Sequence, residues 1–564
     1  MRLIVAVALT ATLAFAACTS SPSPAASASA ASSAPATAAV ASSVASSAAA
    51  ANTWAGCDSA SPQQTLTVAM SGDDPTLDPM FSNNQISNEI NYNVEDQFFK
   101  YGTKPGPNGV PIYDISNITG WSVQSWRWSS DGKSITLNIR PGSVFHHTGD
   151  PVTASDFIYW FNRAKGTNAG GEFNLSIGRV TGWQQTGPDQ IQVDFSVPFS
   201  PFFFYLFRDQ SQAPLDSKVL QAQATGDDPW ATKFAAGHDL GSGPYYIENW
   251  DRGVEMDLCA NPGYWNTQPF FKRVVLKIIP NESDRVLLLK QGAVDIAETL
   301  SIDSLNSLRG SSGINVLSEP TRDQVDLGFN NQMAPFTNKL VRQALAWATP
   351  YQEIVQSIYD GQAQITKGPI PVGGLYFNGS YYQYSFDLTK AKQILTQAGY
   401  GNGLNFTVSL QSGDATLEKL AVLLQATFKQ IGVNMAIQEQ TPAVFAQGQA
   451  AHTQQAWIRD LLWYVDDPAY VAQGFFKSGG CCDWTNYDNP TINRLADQMG
   501  SLQNTGPDQA IKAQLANQYQ QIIDEDVPLI YLTQTNFQLA MRSDIAGYVQ
   551  GPDNILWYYP LTRK

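Results

Sequence analysis

From Thr65 onward the chain runs without an internal repeat and without a long linker at which one domain could end and the next begin. Its 564 residues are too many for one hydrophobic core, and the usual ~100–200 residues per domain point to roughly two to four. Several cores without a seam leave one arrangement, in which the domains are interleaved and the chain crosses between them more than once.

The patterns along this stretch are of mixed α/β type. TLTVAM at 65–70 alternates as a strand does, a turn-rich SGDDPTLDP follows, and Ile86, Ile90, Val94 and Phe98 at four-residue spacing predict a helix over 83–101. Within 121–140, SWRWSS and SITLNIR read as strands joined by the turn Asp131-Gly132. A helix follows with Thr153 as N-cap and Asp156 three residues on. PFFFYLF at 201–207 is too short to span a bilayer and reads as core. Further strands fall at 241–265, RVVLKIIP, QVDLGFNNQ, NFTVSL, NMAIQEQ and VPLIYLTQ. Helices are predicted in SDRVLLLKQGAVDIAE and over 340–359, 388–398, 417–431, 490–500 and 509–524. His146 and His147 are adjacent, point to opposite sides in extended chain and lack a nearby Cys cluster, so no metal or other cofactor is expected.

At the N-terminus Arg2 precedes an apolar run, 3–17, that is too short for a bilayer span and fits the core of an export signal. LAFAAC ending at Cys18 resembles a bacterial lipobox, with Phe15 where Leu is usual, which makes Cys18 the lipid-attachment site; a plain secretory cut nearby is the alternative. The Ala/Ser/Pro-rich tract that follows, within 18–64, cannot bury a core and reads as a tether. The charge of −15 has no acidic block, which argues against nucleic acid and for solubility. In an exported chain Cys57, Cys259, Cys481 and Cys482 allow three pairings. Cys57–Cys259 with Cys481–Cys482 is favoured, although a vicinal bridge is strained because adjacent Cα atoms lie ~3.8 Å apart against a usual ~4.4–6.8 Å. The pairings that send Cys481 and Cys482 to distant partners stay open.

One stretch, 457–490, gathers three Trp, three Tyr, two Phe, five Asp and two Cys into 34 residues. Aromatic faces give area at little entropic cost and carboxylates give orientation, a combination suited to a ligand wall, although the same aromatics also suit core packing. A secreted hydrolase using two of Asp460, Asp466, Asp467 and Asp483 as acid and base lacks any nucleophile or metal motif, so no enzyme activity is expected.

Several motifs in order resemble the family 5 solute-binding proteins of bacterial ABC importers, the peptide- and nickel-binding class. They are TLDP at 76–79, DGKSITLNIRPGSVFHHTGDPVTASDFIYWFNR at 131–163, GSGPYYIENWDRGVEMDLCANPGYW at 241–265, KIIPNESDRVLLLKQGAVDIA at 277–297, LGFNNQMAPFTNKLVRQALAWA at 327–348, KGPIP at 367–371 and AKQILTQAGY at 391–400. The resemblance implies an α/β, periplasmic-binding-protein-like (type II) two-lobed hinge fold with an additional third domain. Lobe I would comprise 65–101, 234–325 and 533–564, lobe II 102–233 and lobe III 326–532. It also implies a monomer, a small solute as ligand, an oligopeptide first and an oligosaccharide or other non-peptide solute as the alternative, and delivery to an ABC permease from a lipid anchor outside the cytoplasmic membrane.

In peptide-binding members of the family an Asp four residues before the Pro of an acidic-Pro pair holds the peptide amino group. Counting back from Pro468, that position is Tyr464, so the carboxylate is missing, and Asp460 or Asp466 would have to substitute. Trp463, Tyr464, Trp484 and, after VPLI, Tyr531 are the expected ligand-facing aromatics, with Asn84 and Gln85 closing the site from lobe I.

Overall fold

The structure, a computed structural model, describes residues 56–564 except 83, 107, 168, 201, 202, 207–212, 462, 464 and 552. The expected signal segment, Cys18, most of the tether and Tyr464 lie outside the described residues.

Eleven strands form one large sheet. Across it run Val433–Gln440, Leu404–Gln411, Ala456–Leu461, Ile314–Phe329, Leu529–Arg542, Ile296–Ala297, Thr65–Met70, Arg273–Ile278, Glu255–Ala260 and Tyr245–Asp251, with Ala363–Gln364 also on Leu529–Arg542. Neighbours come from distant parts of the chain: Thr65–Met70 lies parallel to Arg273–Ile278 and Ile296–Ala297. The two halves of the sheet are joined by its longest strands, Ile314–Phe329 and Leu529–Arg542, which pair antiparallel and extend into both. Gly328 lets Trp457 of the neighbouring strand lie flat across it, for a Cβ there would stand 2.3 Å from the indole.

A separate four-stranded antiparallel sheet orders Val123–Trp128, Ser134–Ile139, Gln190–Phe195 and Val180–Gly187. Ser134–Ile139 and Gln190–Phe195 bury alternate residues, and Gly132 makes the hairpin turn at φ +67°. Helix Ala154–Thr167 covers this sheet with Phe157, Trp160 and Phe161, its start fixed by Thr153, whose N–H and hydroxyl both donate to Asp156. Phe203 is buried beside Phe99 and Phe195. The same core continues into Trp463, Tyr470, Phe476, Ile492 and Tyr519, so the aromatic stretch lies against this sheet region.

Besides the helix predicted over 283–298, which ends at Gln291 before the left-handed Gly292, two predicted helices are shortened or broken. The first is Gln85–Val94, not 83–101: the Val94 carbonyl accepts from Gly243 N at 3.0 Å, Glu95 turns to extended backbone, and Phe99–Pro105 is a strand. The second, predicted over 340–359, breaks into Lys339–Ala348 and a second helical segment, 351–358, because Pro350 drives Thr349 out of helical geometry to φ −77°, ψ 124°.

Helix Gln85–Val94 is buried along most of its length, polar residues included. Asn93 donates to Leu556 O and accepts from Tyr558 N, while the Tyr558 hydroxyl donates to Glu89. Glu89 also meets Glu298, and burial pushes the Glu89 carboxyl up to about 7 and Glu298 well above the usual range, so the pair retains a proton. Between the unfolded carboxyl value and about 7 the folded state therefore binds more protons, and stability falls as pH rises through that window. Glu89→Gln, a permanent stand-in for the protonated acid, is expected to flatten this loss; melting temperatures of both proteins from pH 5 to 8 check it, and parallel curves would contradict it.

Candidate binding site

The long strand Ile314–Phe329 bends where its sequence reads Pro-Thr-Arg-Asp-Gln. Its ladder with Leu529–Arg542 jumps from Pro320↔Asn536 to Gln324↔Gln534, since proline offers no N–H and the residues between leave the register. Thr321 holds the excursion, donating to Thr535 O at 2.8 Å and accepting from Asp323 N at 2.8 Å.

From this bend three successive side chains reach the surrounding segments. The Arg322 guanidinium pairs with Asp466 at 3.0 Å. Asp323 accepts from Asn554 Nδ2 at 2.5 Å, and Asn554 O in turn accepts from Gln85 Nε2 at 3.2 Å. Gln324 Oε1 accepts from Trp463 Nε1 at 3.1 Å. The bend thus connects Asp466, Gln85 and Trp463, which the sequence singled out separately. Arg322, Asp323 and Asn554, which connect them, were missed; the available signal was Pro320 shortly before the strand pattern that begins at Gln324.

The remaining predicted positions are more scattered. Trp463 is 1% exposed and serves the core. Tyr531 is buried opposite Asp326, its hydroxyl without a hydrogen-bond partner among the described residues. Asn84 caps its helix, accepting from Ser87 N at 3.0 Å. Asp460 is exposed at the sheet face, opposite Val325. Trp484 stands apart from the bend, under the Arg459 guanidinium at 3.9 Å and edge-on to Phe475. Asp467 is fully buried against Lys512 and caps the turn Pro468–Val471. Burial pushes Asp483 up to about 6 although it accepts from backbone N–H groups.

Cys57 and Cys259 are joined, with Cα atoms 5.5 Å apart. The expected Cys481–Cys482 bridge is not formed: both are free thiols with sulfurs 2.8 Å apart, well beyond the ~2.05 Å of a bond, and adjacent residues close such a ring only under strain. His146 is occupied by Asp239 at 2.9 Å and by Gly243 O at 3.1 Å.

Beside the bend lies a cavity of about 220 Å³ whose lining includes Lys104, Tyr113, Arg322, Gln364, Gln534 and Gln550. Its charged residues are both cations, and glutamine amides stand beside them, with Gln534 held by Thr321 O and Val372 and Gln550 by Tyr548, Gly551 O and Asn554. Lys104 holds Asp114 at 3.2 Å and Arg322 holds the buried Asp466 at 3.0 Å, with Lys104 exposed and Arg322 partly exposed at the cavity. Burial raises Asp466 above the ordinary carboxyl range while Arg322 opposes the shift. Burial and the nearby Asp460 hold Asp323 well above it. Such a lining suits a carboxylate joined to amide-like groups. The cavity is smaller than the ~300–1,000 Å³ typical of small-molecule sites.

A family profile described as bacterial extracellular solute-binding proteins, family 5 Middle, matches residues 117–482. Over 507 residues the chain is 28% identical to the probable D,D-dipeptide-binding periplasmic protein DdpA of Escherichia coli, covering 88% of this chain and 93% of that one. Among solved structures it superimposes with a TM-score of 0.78 on the periplasmic binding protein DppA of Helicobacter pylori in complex with the peptide STSA, at 21% identity and covering 88% and 98% of the two chains. It also resembles the binding protein AgaA in complex with agropinic acid from A. tumefacien R10, with a TM-score of 0.74, 20% identity and coverage of 89% and 99%. These likenesses give the fold as the two-lobed periplasmic-binding-protein type, and the profile spans well over half of the chain: it belongs to family 5 of the bacterial extracellular solute-binding proteins.

Proposed function

We propose that this protein captures an oligopeptide, or a similar small acid carrying amide groups, and delivers it to an ABC import permease. The observation that carries this reading is the cavity at the strand bend, with Lys104 and Arg322 as its charged lining and glutamine amides beside them. Peptide STSA and agropinic acid, the ligands of two structural neighbours, share a carboxylate with this proposal. The displaced amino-group anchor at Tyr464 fits a site that holds its solute by the acid end.

On this reading 65–101, 234–325 and 533–564 form one lobe, 102–233 a second and 326–532 a third, and the long strands Ile314–Phe329 and Leu529–Arg542 are the hinge. A solute too large for the present cavity enters when the walls part, and closure follows because it touches both sides only in the closed form. Cys18 would carry the lipid that keeps the protein at the outer face of the membrane as a monomer.

Thermal stabilisation across matched ligands tests the solute class. Peptides with a free C-terminus are expected to raise the melting temperature, their C-terminal amides to do so much less, and oligosaccharides not at all. Stabilisation by sugars alone would replace the peptide reading with the oligosaccharide one.

A further inference from the structure

The thiols of Cys481 and Cys482 belong to neither the cavity nor the core. Side chains of successive residues diverge in extended chain, but here the backbone turns. Cys482 N donates to Gly474 O at 2.9 Å and Trp484 N to Cys482 O at 2.7 Å. Gly480 lies so close to the helical turn before it that a Cβ would stand 2.5 Å from the carbonyl oxygens of Gln473 and Gly474, so the turn depends on glycine. The result is two sulfurs 2.8 Å apart, Cys481 exposed and Cys482 half-buried.

Nearby groups limit what such a pair can hold. Cys57 and Cys259 are bonded to each other. His452 Nε2 is turned to Asp483 O at 2.8 Å, and Asp483 accepts from Tyr487 N. Among the described residues no set of three or more His, Cys, Asp or Glu is placed to surround a metal ion. A four-coordinate zinc site therefore lacks ligands. A linear two-coordinate centre with sulfur bonds of ~2.3 Å needs sulfurs ~4.6 Å apart, whereas a near-tetrahedral angle needs only ~3.7 Å. Adjacent residues supply the bent arrangement more easily.

We propose that Cys481 and Cys482 form a chelating dithiol for a thiophilic centre of the trivalent-arsenical class, held by two sulfurs at a bent angle with its remaining valence filled by its own substituent. Thiolates are soft ligands and favour such centres. The Cys481 thiol, hydrogen-bonding to its neighbour, holds Cys482 below the ordinary thiol range with Arg459 assisting, so one sulfur is prepared for attack. With phenylarsine oxide as probe, two As–S bonds form and the As=O bond breaks. The oxygen leaves as water with the two thiol protons, and no oxidation state changes.

The experiment uses the full chain with its Cys57–Cys259 bridge intact and no reductant. Intact-mass spectrometry is expected to show one phenylarsine adduct per chain, with both thiols alkylated by iodoacetamide before treatment and neither after. A small dithiol should strip the adduct while an equal excess of monothiol leaves it, a chelate signature read on the unmodified sequence. Cys481→Ser and Cys482→Ser should each abolish the monothiol-resistant adduct, with melting temperatures confirming that both variants fold. Absence of the adduct, its removal by monothiol, or its persistence in either variant would overturn the proposal.

Discussion

Lys512→Met is expected to destabilise the protein by about 3–5 kcal/mol, because it removes one partner of a buried ion pair and strands the other. Lys512 and Asp467 are both fully buried, and the lysine also donates to Leu502 O at 3.0 Å. Asp467 in turn accepts from Asn504 Nδ2 at 2.7 Å and from Ala469 N at 2.9 Å, so it fixes the start of the turn that carries Tyr470. Methionine matches the length of the lysine stem and fills most of its volume, which leaves the uncompensated carboxylate as the main loss. Asp467→Asn combined with Lys512→Met should recover most of it, since neither charge then remains. Urea unfolding of the parent, the single and the double variant reads the difference. A single-variant loss below about 1 kcal/mol would mean that water reaches Asp467 more easily than its burial suggests.

This pair also illustrates what the sequence withheld. The aspartates of 457–490 stood out there as an acidic, aromatic surface. In the fold Asp467 answers a lysine 45 positions away, Asp466 an arginine on another strand, and Trp463 a glutamine 139 positions away. Residue type and local spacing suffice for elements whose pattern and partners are local: Asp131-Gly132 makes its turn, Thr153 its cap, and Ser134–Ile139 its alternation. They are silent on which distant group neutralises a buried charge. They also misjudge ends that tertiary contacts decide, as at Val94, whose carbonyl is claimed by Gly243.

The site was legible in pieces. Gln85, Trp463 and Asp466 each lie one hydrogen bond or ion pair from the bend or its immediate partner, yet the bend itself is not legible, because residues 318–324 are all polar or proline and the strand pattern begins only at Gln324. Nothing local distinguishes a proline that ends a strand from one that kinks it. The difference arises only when Leu529–Arg542 pairs on both sides of the break.

Arg322→Ala is expected to weaken binding of free-acid peptides by about 2–5 kcal/mol, the usual loss when one partner of a desolvated charge contact is truncated, or roughly 30-fold and more. C-terminal amides should be affected far less, because they make no charge contact to lose. Asp466 separates this effect from simple damage to the fold. It competes with the solute for the same guanidinium, so Asp466→Asn should leave free-acid affinity undiminished or raise it, while Leu375 N, which donates to Asp466 at 2.8 Å, keeps an oxygen acceptor in the asparagine side chain. The two substitutions disrupt one ion pair and are expected to move affinity in opposite directions. Burial holds the Asp466 carboxyl above its ordinary value, so lowering the pH protonates it before the free peptide carboxylate and releases Arg322. Free-acid affinity in the parent should therefore rise on mild acidification, until the solute itself protonates, and Asp466→Asn should remove that rise. Calorimetric titration of the three proteins with a free-acid peptide and its amide reads all of these differences. Equal losses in both variants, or an equal loss for acid and amide in Arg322→Ala, would place the carboxylate contact elsewhere and leave the ion pair a structural role only.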